Sequence, residues 1–457
     1  MTAKRYKKVP PEGGWGFLVL LGLAIFLTFT LGTFPSLALI FAEFLVDIGE
    51  RPGAIPMLMS WYFASFSCVG LVTNYFFKKF SVRAVALCGA MIFLSGSVWA
   101  TFARSMTELI FAFGILEGAG FGLMISASYS TFNAYFVKRR IMMMSFAQTL
   151  FGLGSMAYPL FVQYFMEEFG YRGFMAIRAG VHGNVIFGML VMHPVEWHMK
   201  KILDEDERLM EDQVITSTNI ERDCNIQEMV PLNDKDQKTQ QIEPRASKPN
   251  CIMGLWKEVV DFLDLTILKD PIYVNISLGM SFALYSDMSF FAIQPTYLLK
   301  LGFDKPTVAH IIAIGATADL ASRIFLAISS SWIRLKARDI YFIGAALTIF
   351  TRFVFLYVSE FLGIAIVTAV MGFLRTWIHV PLPLVFGDYL TTERFPSGYG
   401  LFMFIQGIIM FVFTLLVTKI DELVKDDMIT FHCLELAMAL CVVPWAVEWI
   451  WMKSKKI

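Results

Sequence analysis

Apolar residues occur along the chain in long runs that short polar stretches separate. A helix needs about 20 mostly apolar residues to cross the hydrocarbon core of a bilayer. The pattern therefore predicts an all-α membrane protein with twelve transmembrane helices in two groups of six. The first six spans are predicted at Trp15–Phe41, Ile55–Phe77, Val82–Ala103, Met106–Phe136, Ile141–Phe165 and Phe174–Met192. The second six are predicted at Pro271–Leu299, Pro306–Ser331, Asp339–Val358, Phe361–Asp388, Pro396–Thr418 and Met428–Met452.

A polar segment separates the two groups of spans. Residues 196–268 are rich in Asp, Glu, Lys, Gln, Asn and Thr and poor in aromatic residues, which is typical of a disordered linker. This plan resembles that of major-facilitator transporters, which bind substrate at the midplane between two halves. The predicted organisation is an N-terminal half at 1–195, a cytoplasmic linker at 196–268 and a C-terminal half at 269–457.

Basic and acidic residues alternate between the predicted loops. Lys78–Lys79 and Lys138–Arg140 fall on one side of the membrane, whereas Glu167–Glu168 and Asp421–Glu422 fall on the other. Cytoplasmic loops collect Lys and Arg. This asymmetry predicts that both termini lie in the cytoplasm.

Composition agrees with a membrane protein and narrows its chemistry. Hydrophobic residues make up 56% of the chain and charged residues 17%, and the formal net charge is zero. A nucleic-acid-binding protein carries a basic surface, so that class is disfavoured. The six cysteines show no metal or redox spacing, and neither H-E-x-x-H nor G-x-S-x-G occurs. We therefore expect no cofactor, no metal and no enzymatic activity.

Two opposite charges interrupt the eighth predicted span. Asp319 and Arg323 are four residues apart, so on a helix their side chains share one face and can pair. An isolated Asp or Arg at the centre of a bilayer costs about 2.5–3.5 kcal/mol even on the lenient insertion scale. The pair is either a self-neutralising contact between helices or part of a substrate path, and we favour the substrate path.

Four motifs, in order along the chain, resemble those of the monocarboxylate transporter family. They are an acidic-Gly-Gly-Trp-Gly opening at 12–16, Tyr-Phe-x-Lys-Arg-Arg at 135–140, Asp-x-x-x-Arg at 319–323, and Asp388 followed by Arg394 before the eleventh span. The resemblance implies the major facilitator fold and transport of small carboxylates across the plasma membrane.

The resemblance also implies roles for individual residues. Arg323 would bind the substrate carboxylate, and Asp319 would orient Arg323 and couple substrate occupancy to the change of access. The signature residues would form a gate or conformational contact at the cytoplasmic side, and they are Lys138, Arg139, Arg140, Asp388 and Arg394.

One departure from the family concerns the coupling ion. The proton-linked lactate carriers have a Phe-Pro-Lys step in the first helix, whose lysine takes part in proton and substrate binding. Here the step is Phe34-Pro35-Ser36, and a serine carries neither the proton nor the positive charge. Ser36 is therefore predicted to leave space for substrate, and a proton is the least supported coupling ion.

Further ionisable residues lie in predicted spans. Arg375 and His379 are four apart, hence on one helix face, and we expect them either to contact substrate or to neutralise acidic groups elsewhere. Pairing among themselves would explain the remaining candidates equally well, and these are Glu117, Arg178, His182, Asp287 and Arg352.

The sequence is compatible with several functional hypotheses. The leading one is a carrier of monocarboxylates or related organic anions, and the second is a facilitative carrier of aromatic or other amino-acid-like carboxylates. A third is a membrane sensor that no longer transports. The expected partners are a small carboxylate substrate and the lipid bilayer, and the resemblance adds a single-span immunoglobulin-like ancillary glycoprotein.

Overall fold

The chain folds almost entirely into helices. The computed structural model describes residues 6–49, 55–203, 264–330, 332, 335–424 and 427–454. Within these ranges the one sheet is a small antiparallel pair, in which β1 (Tyr6–Val9) pairs with β2 (Lys200–Leu203). The all-helical prediction is confirmed, with this sheet as an addition. Most of the predicted linker, at 204–263, lies outside the described residues.

The long apolar runs of the sequence form the helices of two halves. The N-terminal half contains α1 (Trp15–Thr30), α2 (Leu37–Asp47), α3 (Ile55–Lys79), α4 (Val82–Phe102), α5 (Met106–Leu109), α6 (Gly118–Tyr135), α7 (Arg140–His182) and α8 (Asn184–Leu190). The C-terminal half contains α9 (Pro271–Lys300), α10 (Lys305–Ser329), α11 (Ala337–Tyr357), α12 (Phe361–His379), α13 (Leu382–Tyr389), α14 (Phe395–Val424) and α15 (Asp427–Ser454). Leu31–Ser36 forms a 3₁₀ segment between α1 and α2, and Ile110–Glu117 forms a π-helical segment between α5 and α6.

Nine helical stretches among the described residues are long and apolar enough to cross a membrane. Helix α3 and the two legs of α7 are not among these nine stretches. A multi-span membrane protein is thus supported. The count of twelve spans and the location of the termini stay predictions.

Helix α7 covers the region where two separate spans were predicted. Its helical hydrogen bonding runs through 140–182, but Gly170 has φ 66° and ψ 178°, which is not helical. A glycine adopts this left-handed φ without the steric penalty of a side chain. Gly170 therefore divides α7 into two legs, close to the predicted boundary between the fifth and sixth spans.

The two halves meet closely at glycines. A Cβ atom on Gly400 of α14 would lie 2.1 Å from the carbonyl oxygen of Gly70 of α3. Small residues let helix backbones approach in a membrane, where packing rather than the hydrophobic effect holds helices together. This contact lies toward the end of the bundle formed by residues 79–82, 135–140, 329–330, 335–337 and 389–395, which we call the basic end.

Candidate functional site

The Asp319–Arg323 pair forms as its spacing predicts. Arg323 Nη2 donates to Asp319 Oδ2 at 2.6 Å, and Thr376 Oγ1 donates to Asp319 Oδ1 at 2.7 Å. Arg323 Nη1 also donates to the backbone oxygen of Gln148, in the other half, at 2.7 Å. Gly152 makes room for this contact, because a Cβ there would lie 3.2 Å from Arg323 Nη1. The terminal nitrogens of Arg323 are thus already engaged, and the residue links the two halves.

A second charge cluster surrounds Asp287 of α9. Arg352 Nη2 lies 2.7 Å from Asp287 Oδ1, while Arg375 Nε and His379 Nε2 lie 3.0 Å and 2.9 Å from Oδ2. The Asp287 side chain is 1% exposed, and that of Arg375 is 30% exposed. We call these four residues the Asp287 cluster. The sequence identified each member but did not show that they meet, because they lie on three helices.

The Asp287 cluster contains more positive than negative charge. One carboxylate faces the two guanidinium groups of Arg352 and Arg375, so the cluster carries a net positive charge of at least one. Within the described part of the chain, Arg375 forms one hydrogen bond, through Nε, and its Nη atoms have no protein partner. The guanidinium carbon lies 4.4 Å from the centre of the Phe291 ring. Arg375 is therefore held in place through Nε and its ring contact, while the four N–H groups of its Nη atoms have no protein partner among the described residues.

Arg375 and Asp319 line the same cavity. It lies between α9, α10 and α12 and has an empty volume of about 350 Å³, its mouth included. The other lining residues are Phe291, Gln294, Ile312, Gly315, Ala316, Thr368 and Gly372. Gln294 Nε2 donates to Thr368 Oγ1 at 3.2 Å, so the lining also contains uncharged polar groups. A cavity of this kind, mostly apolar with a few convergent polar groups, is typical of a small-solute site.

The ionisable residues of the N-terminal half neutralise one another. Arg178 Nη1 and Nη2 donate to the two oxygens of Glu117 at 3.0 Å and 2.8 Å. Ser97 Oγ lies 2.7 Å from Glu117 Oε1 and 2.5 Å from His182 Nδ1. All four residues are buried, and none lines the cavity described above. Glu117, Arg178 and His182 thus contact one another directly or through Ser97, as expected if these residues pair among themselves.

Two signature motifs that are far apart in sequence meet at the basic end. The Glu12 carboxylate accepts backbone N–H bonds from Val137 at 2.8 Å, Lys138 at 2.7 Å and Arg139 at 3.4 Å. The first motif thereby caps the chain that leads into α7. This contact could not be predicted from local periodicity, which says nothing about partners more than a hundred residues apart.

Arg140 joins the halves at the same end. Its Nη1 donates to Asp388 Oδ1 at 2.8 Å and to the Gly387 oxygen at 2.9 Å. The side chains of Lys138, Arg139 and Arg394 are exposed nearby. Of the five signature residues, the structure therefore brings Arg140 and Asp388 into direct contact across the halves.

Ser36 lies apart from the charged groups. It is buried at the end of the 3₁₀ segment, and its Oγ has no hydrogen-bond partner in the described chain. It does not line the cavity that contains Arg375.

Trp15 stacks on two histidines at the basic end. Its ring centroid is 4.4 Å from that of His193 and 4.8 Å from that of His198. Desolvation lowers the pKa of His193 below its usual value of 6.5, and the positive charge of Arg83 and the neighbouring His198 lower the pKa further. The folded protein therefore favours a neutral His193.

Comparisons with known proteins agree with this architecture. A sequence profile of the Major Facilitator Superfamily matches residues 18–414. Monocarboxylate transporter 7 of Homo sapiens is 23% identical over 428 residues, covering 89% of this chain and 80% of that protein. Monocarboxylate transporter 1 of Rattus norvegicus is 23% identical over 411 residues, covering 87% of this chain and 77% of that protein.

A solved structure supports the fold alone. The human organic anion transporter MFSD10 (TETRAN) is similar with a TM-score of 0.63 and 14% sequence identity, covering 95% of this chain and 99% of that chain. The relatives are transporters and not enzymes, in line with the sequence prediction. The family profile spans both halves and includes the residues of both charged clusters. The chain belongs to the Major Facilitator Superfamily, and it is a multi-pass membrane transporter related to monocarboxylate transporters.

Proposed function

We propose that the protein carries small monocarboxylates or related small organic anions across the plasma membrane by alternating access. The observation that supports this most strongly is the cavity lined by Arg375, whose Nη atoms have no protein partner in the described residues. Guanidinium groups bind carboxylates through two parallel N–H bonds. The relatedness to monocarboxylate transporters points to the same class of solute.

We assign different roles to Arg375 and Arg323. Arg375 binds the carboxylate of the solute, because its partner Asp287 takes only the Nε donor. Arg323 connects the cavity to the movement of the halves, because it bonds both Asp319 in the cavity wall and the Gln148 oxygen across the interface. A solute that disturbs Asp319 would weaken the link to Gln148.

Alternating access requires that contacts between the halves break. On the basic side, the described hydrogen bonds that must open include those of Arg140 with Asp388 and Gly387 and that of Asn133 with the Pro383 oxygen. Basic loops favour the cytoplasm, so we place this end and both termini there. The described conformation is then closed toward the cytoplasm at this contact.

The proposed transport is facilitative with respect to protons. Ser36 supplies neither charge nor an ionisable proton, and it lies outside the cavity lining. We therefore expect uptake to follow the solute gradient with weak pH dependence, and we assign no coupling ion. An ancillary single-span glycoprotein, which the family resemblance implies, would reveal itself as a co-purifying partner required for surface expression.

One observation favours a second candidate, a carrier of amino-acid-like carboxylates. Asp319 and Gln294 line the same cavity as Arg375, so acceptors for an ammonium group are within it. Against this, both Asp319 oxygens already accept hydrogen bonds from Arg323 and Thr376. A neutralised carboxylate attracts an ammonium group less strongly, so the monocarboxylate remains the first choice.

The proposal is tested by uptake into proteoliposomes. Purified protein is reconstituted and offered labelled monocarboxylates and amino acids at two external pH values. We expect a monocarboxylate to equilibrate down its gradient at similar rates at both pH values. Steep stimulation by external acid would contradict the absence of proton coupling. Absence of uptake across the whole panel would favour a sensor and overturn the proposed function.

A further inference from the structure

We propose that Arg352, a residue that solute cannot reach, determines the charge of the anion that the cavity selects. This inference rests on the proposed function, because it concerns the same cavity. The Arg352 side chain is 0% exposed. Its Nη1 donates to Ser286 Oγ at 2.9 Å, its Nη2 donates to Asp287 Oδ1 at 2.7 Å, and its guanidinium carbon lies 4.4 Å from the Phe290 ring centre. Arg352 therefore acts through Asp287 and is a positioning residue.

The two oxygens of Asp287 have different partners. Oδ1 is taken by Arg352, whereas Oδ2 is shared between Arg375 Nε and His379 Nε2. A single negative charge balances a single guanidinium. Since Arg352 is fixed on Asp287 in the protein interior, the charge of Arg375 is left largely uncompensated. Without Arg352, Asp287 would neutralise Arg375 and the cavity would lose its preference for anions.

Other charges near the cavity leave this balance in place. Asp319 and Arg323 neutralise each other at 2.6 Å. Glu435 of α15 interacts electrostatically with Arg352 but does not come within ion-pair distance of it, and it lies 2.9 Å from His432 Nδ1. The cavity therefore offers a net positive charge of at least one.

The net charge determines which solute gives a balanced complex. A monoanion neutralises the excess positive charge of the cavity, and a neutral analogue leaves that charge uncompensated. A dianion leaves one uncompensated negative charge in an environment of low dielectric constant. Uncompensated charge in such an environment is costly. The order of preference should therefore be monoanion, then dianion or neutral analogue, and it should change predictably with the charge of the cluster.

Two substitutions change the charge of the Asp287 cluster in opposite directions. Arg352→Met removes one positive charge and keeps an apolar side chain against Phe290. Asp287→Asn adds one positive charge. Arg352→Lys keeps the charge and serves as the conservative variant. Glu435→Gln is the matched control, because it removes a buried carboxylate of the same half that has no hydrogen bond to the cluster.

The experiment measures competition for uptake of labelled pyruvate into proteoliposomes by unlabelled pyruvate, pyruvamide and oxaloacetate. We expect Arg352→Met to reduce the preference for pyruvate over pyruvamide about tenfold or more, because two unit charges a few ångströms apart in protein interact strongly. Asp287→Asn should raise the preference for oxaloacetate over pyruvate by a similar factor. Arg352→Lys and Glu435→Gln should keep both ratios within about threefold of the wild type.

A purely structural role of Arg352 gives a different result. Loss of packing would reduce uptake of all solutes together and leave the competition ratios unchanged, which would overturn the inference. A tenfold shift in Glu435→Gln would also overturn it, because Glu435 would then balance Arg352. Size-exclusion profiles and thermal unfolding identify a variant that does not fold, and Asp287→Asn still tests the opposite direction. If the wild type takes up no carboxylate, the proposed function fails as well.

Discussion

Replacing Arg375 or Arg323 by glutamine separates carboxylate binding from movement of the halves. In Arg375→Gln the solute loses its charge-assisted partner, whereas Asp287 keeps Arg352 and His379, so the fold should survive. A hydrogen bond to a charged group contributes about 1.5–3 kcal/mol. At 1.36 kcal/mol for each factor of ten, KM should rise about 10- to 150-fold.

Arg323→Gln should give the opposite kinetic pattern. This change removes the bonds to Asp319 and to the Gln148 oxygen, at 2.6 Å and 2.7 Å, and leaves Asp319 without its cation. We expect the maximal rate to fall strongly while KM changes by less than about threefold, because the lost contacts concern the conformational step rather than solute binding. The thermal unfolding temperature should also fall.

The assay is initial-rate uptake of the accepted monocarboxylate over a range of concentrations in proteoliposomes. Arg338→Gln is the matched control, because Arg338 forms a bidentate pair with Glu448 in the same half and does not line the cavity. Its KM should stay close to that of the wild type. If Arg323→Gln raises KM and Arg375→Gln does not, the roles proposed for the two arginines are wrong.

Three further predictions concern the contacts around the cavity. Arg140→Asp or Asp388→Arg alone should slow transport. If the pair is a contact between the halves, the double exchange should restore part of the uptake rate. Equal uptake rates in all three variants would contradict this role of the pair. Arg178→Met leaves Glu117 buried without its cation, which costs about 3–5 kcal/mol. The unfolding temperature should therefore fall while KM is unchanged. A changed KM with normal stability would place this cluster in the solute path. The lowered pKa of His193 means that the folded state binds this proton less readily than the unfolded chain, so stability should decrease as pH falls below about 6.5. His193→Phe keeps an aromatic ring beside Trp15 and should lose less stability between pH 7.5 and 5.5. An equal loss in this variant would refute the assignment.

Local patterns predicted the elements of the fold well. The apolar runs coincide with helices because a segment of about 20 apolar residues has few alternatives in a bilayer. The four-residue spacing of Asp319 and Arg323 predicted their pairing, because helical geometry fixes that distance. The break at Gly170 agrees with the predicted boundary between two spans, although the helical hydrogen bonding continues around it.

The partners across the bundle could not be predicted in the same way. Asp287 joins Arg352 and Arg375 although they are 65 and 88 residues away along the chain. Helical periodicity assigns a residue to a face of its own helix but does not say which helix that face meets. Arg323 was for this reason expected to bind the carboxylate, whereas its bond to the Gln148 oxygen and the unpartnered Nη atoms of Arg375 became apparent only in three dimensions.

The most direct measurement is an experimental structure of the reconstituted protein with the monocarboxylate that it transports. We expect solute density in the cavity lined by Phe291, Thr368 and Arg375, with a carboxylate oxygen about 3 Å from the Nη atoms of Arg375. The Asp319–Arg323 ion pair should either stay intact or break when the two halves move apart. Density for the carboxylate on Arg323 alone, or beside Arg178 in the N-terminal half, would contradict the account.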